Sequence, residues 1–398
     1  MSLFSEVQLA APDPILGVTD AFRADPRPFK VNLGVGIYQN EDGKLPLLDS
    51  VREAEQRIAA HPAPRPYLSI DGNEDYDDAT AALVLGGQSL DVAVTVQTLG
   101  GSGALKVGGD FLHGLGVRQL LVSDPTWDNH LPILGGAGLQ IGVYRYYDPQ
   151  RGGLDFEGML ADLRAAKADT VVLLHACCHN PTGYDLTQDQ WQDVLDVVAD
   201  RGLVPFIDMA YQGFADGFDE DAFAIREIAR RGMSGLCANS YSKTFGLYGE
   251  RVGGLTLLTQ SPAEASRVRS QVKLKVRANY SNPPTHGEAI VATILADPQL
   301  RAAWMVEVDG MRARIKAMRA ALVQALAAEG VDDAGFIEQQ RGMFSYMGLS
   351  RDQMVRLRED FAVFGVESGR LCVAALNHGN VGRVAAAIAA VSRPVGQL

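Results

Sequence analysis

Cysteine is scarce: Cys177, Cys178, Cys237 and Cys372 are the only four in 398 residues, and they show no framework spacing. Adjacent Cys177 and Cys178 are poorly placed to bridge each other, so disulfides do not organise this chain. No apolar run reaches the ~18 residues that a membrane span requires. A basic excess is also missing. The chain has 36 cationic and 48 anionic side chains, a net charge of -12, which argues against nucleic acid as a partner. Glu6 and Asp13 interrupt the start, where no basic, apolar and small-residue succession marks a secretory leader. These absences lead us to expect a cytoplasmic protein. What is present, 47% hydrophobic and 21% charged residues, is ordinary for a folded chain. At roughly 150 residues per domain, the length suggests two domains and a core that needs no staples.

Short apolar runs alternate with helical patterns through the middle of the chain. Val92–Val96, Gln119–Val122, Thr170–Leu174, Val204–Ile207, Leu236–Ala238 and Gly253–Leu258 read as buried strands. Asp155–Ala166 and Gln188–Arg201 carry apolar residues at helical spacing. That alternation predicts an α/β fold with a mostly parallel sheet between helices, and a ligand crevice where the strands end. From Asp309 onward the pattern changes to a long helix, strand-like Gly342–Leu349, a helix near Ser350–Phe364, strand-like Arg370–Ala374 and an alanine-rich helix. We expect residues 46–309 to form a large domain, with 1–45 and 310–398 forming a smaller α+β domain.

Five segments have chemistry to offer. Gln97-Thr98-Leu99-Gly100-Gly101-Ser102-Gly103-Ala104-Leu105-Lys106 follows a strand and opens a helix, whose free N–H groups suit a phosphate. It matches neither the dinucleotide fingerprint nor a Walker loop, and a plain tight turn is the alternative. Asp208 ends an apolar run ahead of Tyr211, where a carboxylate needs a cation unless it merely caps a turn. Lys243 follows an apolar strand among Ser240, Ser242 and Thr244, a setting that can desolvate an amine into a nucleophile; a surface lysine is the alternative. Arg251 lies close by as a bidentate anion partner. His175 and His179 are four apart, but Val171–Leu174 before them and Pro181 after them predict a strand and turn rather than a zinc-binding helix. Arg277 and Arg370 suit carboxylates through their planar forks, although structural ion pairs are the commoner use.

In combination these motifs resemble the class I aminotransferases of the aspartate and aromatic amino acid type. The resemblance runs from Asp13-Pro14-Ile15-Leu16 and Asn32-Leu33-Gly34-Val35-Gly36 through Asp124-Pro125-Thr126-Trp127, His179-Asn180-Pro181-Thr182-Gly183 and Ser240-Tyr241-Ser242-Lys243 to Ser368-Gly369-Arg370. It implies the type I fold of pyridoxal-phosphate-dependent transferases and pyridoxal 5'-phosphate as cofactor. By that resemblance Lys243 holds the cofactor aldehyde and later moves a proton, Asp208 keeps the ring nitrogen protonated, and Asn180 and Tyr211 bond the ring oxygen. Trp127 stacks on the ring, while Gly101, Ser102, Ser240, Ser242 and Arg251 take the phosphate, joined by Tyr67 of a neighbouring subunit. Arg370, with Gly36 and Asn180 beside it, clamps the substrate α-carboxylate. Arg277, also from the neighbour, meets a distal carboxylate. The resemblance therefore implies a homodimer with shared sites, acting on amino acids and 2-oxo acids; that no metal is expected follows from the strand-and-turn setting of His175 and His179.

Within that family the stretches around Gly100, Tyr248, Met343 and Cys372 look more like the bacterial aromatic enzymes. Ile37, Leu45 and Pro66 are apolar around the expected pocket, and Gln39 is neutral where aspartate-specific relatives often carry lysine. Asn282 resembles the aspartate type instead. The expected activity is transfer from tyrosine, phenylalanine and aspartate to 2-oxoglutarate, with an aspartate enzyme as the alternative.

Overall fold

A computed structural model describes residues 2–10, 13 and 15–393. Pro14 of the first motif and the last five residues of the expected small domain lie outside them. Seven strands form the main sheet: β1 (Ala93–Leu99), β2 (Gln119–Asp124), β3 (Gln140–Arg145), β4 (Val171–His175), β5 (Val204–Met209), β6 (Gly235–Ser240) and β7 (Val252–Leu258). Their order is β1-β7-β6-β5-β4-β2-β3, and only β7 runs antiparallel to its neighbours. This is the expected mostly parallel α/β sheet. One strand, β3, was not expected: it is an edge strand with exposed and half-buried positions, so it lacks the continuous apolar run of the buried strands.

The central strands bury both faces. Val94, Val96, Val171, Phe206 and Leu255 enter one apolar cluster, and Val172, Leu174, Ile207 and Cys237 enter another. Helix α1 (Gly100–Gly114) leaves directly from β1 and lies on the first face. Gly108 makes the contact close, since a Cβ there would stand 2.6 Å from the Phe206 ring. Truncating a buried ring like Phe206 to alanine costs about 3–5 kcal/mol. Helix α2 (Pro262–Tyr280) begins with a serine cap, Ser261, which accepts the N–H of Glu264.

The expected long helix begins eleven residues before Asp309, as α3 (Pro298–Ala328). Asp297 caps it and proline occupies its first turn, a start signal that the reading from Asp309 passed over. Two short pairings join the beginning and end of the chain: Val31–Asn32 runs parallel to Val363–Phe364, while Phe344–Tyr346 pairs antiparallel with Arg370–Cys372. Trp304 of α3 is fully buried, stacks on Phe245 at 4.2 Å and donates its indole N–H to the Thr244 carbonyl at 2.8 Å. That bond ties the loop carrying Lys243 to the longest helix. Among the described residues, no helix is long and apolar enough to cross a membrane.

Candidate active site

The register of the sheet gathers the polar residues at one edge. His175 is level with Asp208, and Asp208 with Ala238, two residues before Ser240. Because β7 is antiparallel, its first residue, Val252, lies opposite Leu99, so Arg251 stands beside Gly100. A cavity of about 260 Å³ opens there, lined among others by Gly36, Gly101, Ser102, Trp127, Asn180, Asp208, Tyr211, Ser240, Ser242, Lys243 and Arg251. An adjoining cavity of about 530 Å³ adds Arg370 and Phe344. Of the fourteen residues singled out from the sequence, the fold brings twelve to these two cavities.

The exceptions are Tyr67 and Arg277. Tyr67 is 91% exposed, and Arg277 is exposed near the end of α2 with its guanidinium on the Ser281 hydroxyl. Neither lines the site of its own chain. Pro66 likewise lies on a separate cavity beside Arg65 and His286, whereas Ile37 does line the site.

Asp208 is buried, and its Oδ2 lies 2.9 Å from His130 Nε2. His130 Nδ1 in turn meets the Thr126 hydroxyl at 2.8 Å. Burial would raise the Asp208 carboxyl, yet the His130 hydrogen bond and the nearby positive charges leave it below its ordinary value. The carboxylate is thus kept ionised in a poorly hydrated place. His175 Nε2 points into the same region without a partner among the described residues, and burial, with a smaller contribution from neighbouring His130, pushes that ring down to about 3, so it is neutral. His179 bonds the Ser123 and Thr182 hydroxyls at 2.9 and 2.8 Å, and it stacks on Tyr146. The strand ends at His175 and a turn follows, so His175 and His179 do not share a helix face. Three ligand-type atoms of His130, His175 and Asp208 do lie within 4.8 Å of one another, although two are already hydrogen-bonded together.

Lys243 Nζ stands 4.8 Å from the centre of the Tyr211 ring. Desolvation lowers its amine to about 8, against the opposing pull of Asp208; Arg251 and Arg370 lower it further. Burial raises the Tyr211 hydroxyl, so it remains a donor. At the other end of the cavity, Ser240 Oγ donates to Ser242 Oγ at 3.2 Å, and Arg251 Nη1 donates to Ser242 Oγ at 3.3 Å. Gly100 has a φ of 65°, and a Cβ there would stand 2.6 Å from Arg251 Nη2. Only glycine allows both that backbone and that guanidinium. Helix N–H groups, two hydroxyls and an arginine fork make a cradle for a dianion such as a phosphate ester.

Arg370 is buried at the edge of the second cavity. Its Nη1 donates to Asn180 Oδ1 at 2.9 Å and its Nη2 to the Gly34 carbonyl at 2.7 Å, over the face of Phe344. Its Nε has no partner among the described residues. A neutral amide and a carbonyl leave the positive charge unneutralised, ready for a carboxylate. His130 and Tyr248 were missed in the sequence. His130 follows Trp127 in an ordinary loop and acquires its role only when the fold sets it on Asp208. Tyr248, which lines the cavity and accepts the Tyr38 N–H at 3.0 Å, had only its place in a family-like stretch to mark it.

A carboxylate, an activated amine, an anion cradle and a free arginine in one cleft are the requirements for handling a phosphorylated carbonyl cofactor and an amino acid together. The sequence pattern of the family "Aminotransferase class I and II" matches residues 28–388. The chain belongs to that family. It is a transaminase that depends on pyridoxal 5'-phosphate. It is 51% identical to the aspartate aminotransferase of Pseudomonas aeruginosa over 98% of this chain and 100% of that one. Identity to the aromatic-amino-acid aminotransferase of Escherichia coli is 49%, over 98% of this chain and 100% of the other. Among solved structures, the aromatic-amino-acid aminotransferase of Burkholderia pseudomallei, covalently bound to pyridoxal phosphate, superposes with a TM-score of 0.96. It is 53% identical, covering 99% of this chain and 100% of that one.

Proposed function

We propose that this transaminase moves the amino group of tyrosine, phenylalanine and aspartate to 2-oxoglutarate in two half-reactions at one site. The observation that carries the mechanism is the convergence of Asp208, Lys243 and the Gly100–Arg251 cradle on a single cavity. Pyridoxal phosphate, when bound, supplies the electron sink that makes the substrate Cα–H acidic. Asp208, fixed by His130, holds the ring nitrogen protonated. At ~4 Å and an effective dielectric of ~20, such a charge pair is worth about 4 kcal/mol. Lys243 would hold the cofactor carbonyl through its amine, and the same amine, when free, would be placed to move a proton at the substrate Cα. Tyr211 and Asn180 donate to the ring oxygen, and Trp127 covers the ring. Gly101, Ser102, Ser240, Ser242 and Arg251 hold the phosphate.

Arg370, with Gly36 and Asn180 beside it, takes the substrate α-carboxylate. Tyr67 and Arg277 act in the neighbouring subunit's site, Tyr67 at the phosphate and Arg277 at a distal carboxylate. Their exposure in the single chain supports this, as do the exposed Leu3, Phe4, Val7 and Leu9, which a second copy would cover. We read the functional unit as a homodimer, with residues 46–309 as the cofactor-binding domain and 1–45 with 310–398 as the small domain. Four free, buried cysteines support work in the reducing cytoplasm.

The aromatic reading rests on the apolar wall made by Ile37, Leu105 and Phe344. Burying a substrate ring there contributes roughly 1.5–3 kcal/mol. Asn282 favours the aspartate type, as does the similarity to aspartate enzymes. A stopped-flow half-reaction decides between them by following the cofactor absorbance after mixing with tyrosine or aspartate. Comparable conversion by the two donors is expected; aspartate at least a hundredfold faster would establish the aspartate enzyme.

A further inference from the structure

We propose that Asp128, assisted by Asp13, is a specificity-determining charge that disfavours substrates carrying a second carboxylate. The inference rests on the aminotransferase reading of the cavity. Both acids line the outer cavity of about 530 Å³, the same space that Arg370, Trp127 and Phe344 face. Asp13 is held at that mouth because its Oδ1 accepts the N–H groups of Ile15 and Leu16 at 2.9 and 2.7 Å. Asp128 comes directly after Trp127, so the indole side and the carboxylate side of that turn bound one opening.

The nearby cations do not neutralise Asp128. Arg351 and Arg358 share a neighbouring cavity of about 480 Å³ with it, but Arg351 is paired with Glu367 at 2.7 Å. Arg358 is shared between Glu367 at 3.3 Å and Glu359 at 3.5 Å. Among the described residues, Asp128 has no ion-pair partner. Partial burial raises its carboxyl, Arg370 pulls it back down, and Asp13 raises it again, so these three charges act on one another across the opening. Within one chain the outer cavity therefore sets Arg370 and the Lys243 amine against two acids that no cation among the described residues pairs, and on our reading the neighbour's Arg277 is the cation against which Asp128 is balanced.

Every amino acid substrate brings an α-carboxylate, which Arg370 takes. Only dicarboxylates bring another negative charge into the opening. Two like charges about 8 Å apart, at an effective dielectric of about 40, repel by ~1 kcal/mol, or about fivefold in an equilibrium. The cost falls on aspartate and spares tyrosine, whose side chain meets the apolar wall.

The test is Asp128→Asn in the full-length, cofactor-loaded enzyme, with kcat/KM measured for aspartate and tyrosine at pH 8 in low and high salt. The aspartate-to-tyrosine ratio is expected to rise about fivefold, mainly through the KM of aspartate. Added salt should shrink the difference between variant and wild type. Asp128→Glu should restore the wild-type ratio, and Asp13→Asn should shift it in the same direction by less. An unchanged or lowered ratio overturns the proposal, as does an equal fall in kcat for both donors, which would indicate a structural role. If the wild type used neither donor, the aminotransferase reading would fail first; a wild type active on both with an unmoved ratio defeats only this inference.

Discussion

The inner end of the cavity has its charged groups answered within one chain: His130 holds Asp208, Ser242 meets Arg251, and Trp304 braces the Lys243 loop. The outer end differs. Among the described residues Arg370 Nε has no partner and Asp128 no ion pair, and Tyr67 and Arg277 are exposed, away from their own site. Groups that perform the chemistry are thus preorganised by the sheet, where reorganisation would slow the reaction. Groups that choose the substrate lie outside the main sheet, on a short two-stranded pairing (Arg370), in loops and at a helix end, and in our reading they are completed by a second chain.

Substitutions can break this contrast. The largest effect is expected from Lys243→Ala, which removes both the anchor and the proton carrier: turnover should drop at least about 10⁴-fold, with loss of the bound cofactor's visible absorbance. Full activity in that variant would sink the mechanism. Asp208→Ala should lower kcat about 10³-fold for every donor, as expected when a ~4 kcal/mol charge pair is lost. If it acted on aspartate alone, Asp208 would belong to the recognition end instead. Arg277→Ala should behave in the opposite way, reducing kcat/KM for aspartate about 10- to 100-fold while leaving tyrosine nearly unchanged.

Smaller effects sharpen the picture. In cofactor-free protein, capture of added pyridoxal phosphate requires the neutral Lys243 amine. The rate should therefore climb with pH through a midpoint near 8; a midpoint near the ordinary lysine value of 10.5 would show that the amine is not desolvated. Trp304→Phe keeps a ring against Phe245 but loses the bond to the Thr244 carbonyl and part of the buried indole, so unfolding free energy should fall by about 2–3 kcal/mol. No change in the denaturation midpoint would mean that this bond does not hold the loop.

The same contrast governs what could be read from the sequence. Lys243, Asp208 and Gly100–Ser102 were legible because each adjoins a buried apolar strand, and strand ends of a parallel sheet converge. The strand at Gln140–Arg145 was not, since an edge strand buries too little to leave a run. His130 gave no local signal; its role comes from a contact 78 positions along the chain, with Asp208. Asp128 was passed over for a related reason, because a lone acid in a turn becomes informative only when the fold sets it opposite Arg370. Tyr67 was proposed from resemblance alone and Arg277 from its carboxylate-matching fork together with that resemblance, and the single chain leaves both at its surface.

Subunit mixing probes the two-chain site most directly. Lys243→Ala and Arg277→Ala enzymes, each nearly inactive on aspartate, are unfolded together, refolded and assayed. Random pairing makes half of the dimers hybrids, each with one site that combines an intact Lys243 and an intact Arg277 from its partner. Aspartate turnover should therefore recover to about a quarter of the wild-type value. Recovery no greater than the sum of the two separate variants would contradict the shared site and place Arg277 outside recognition.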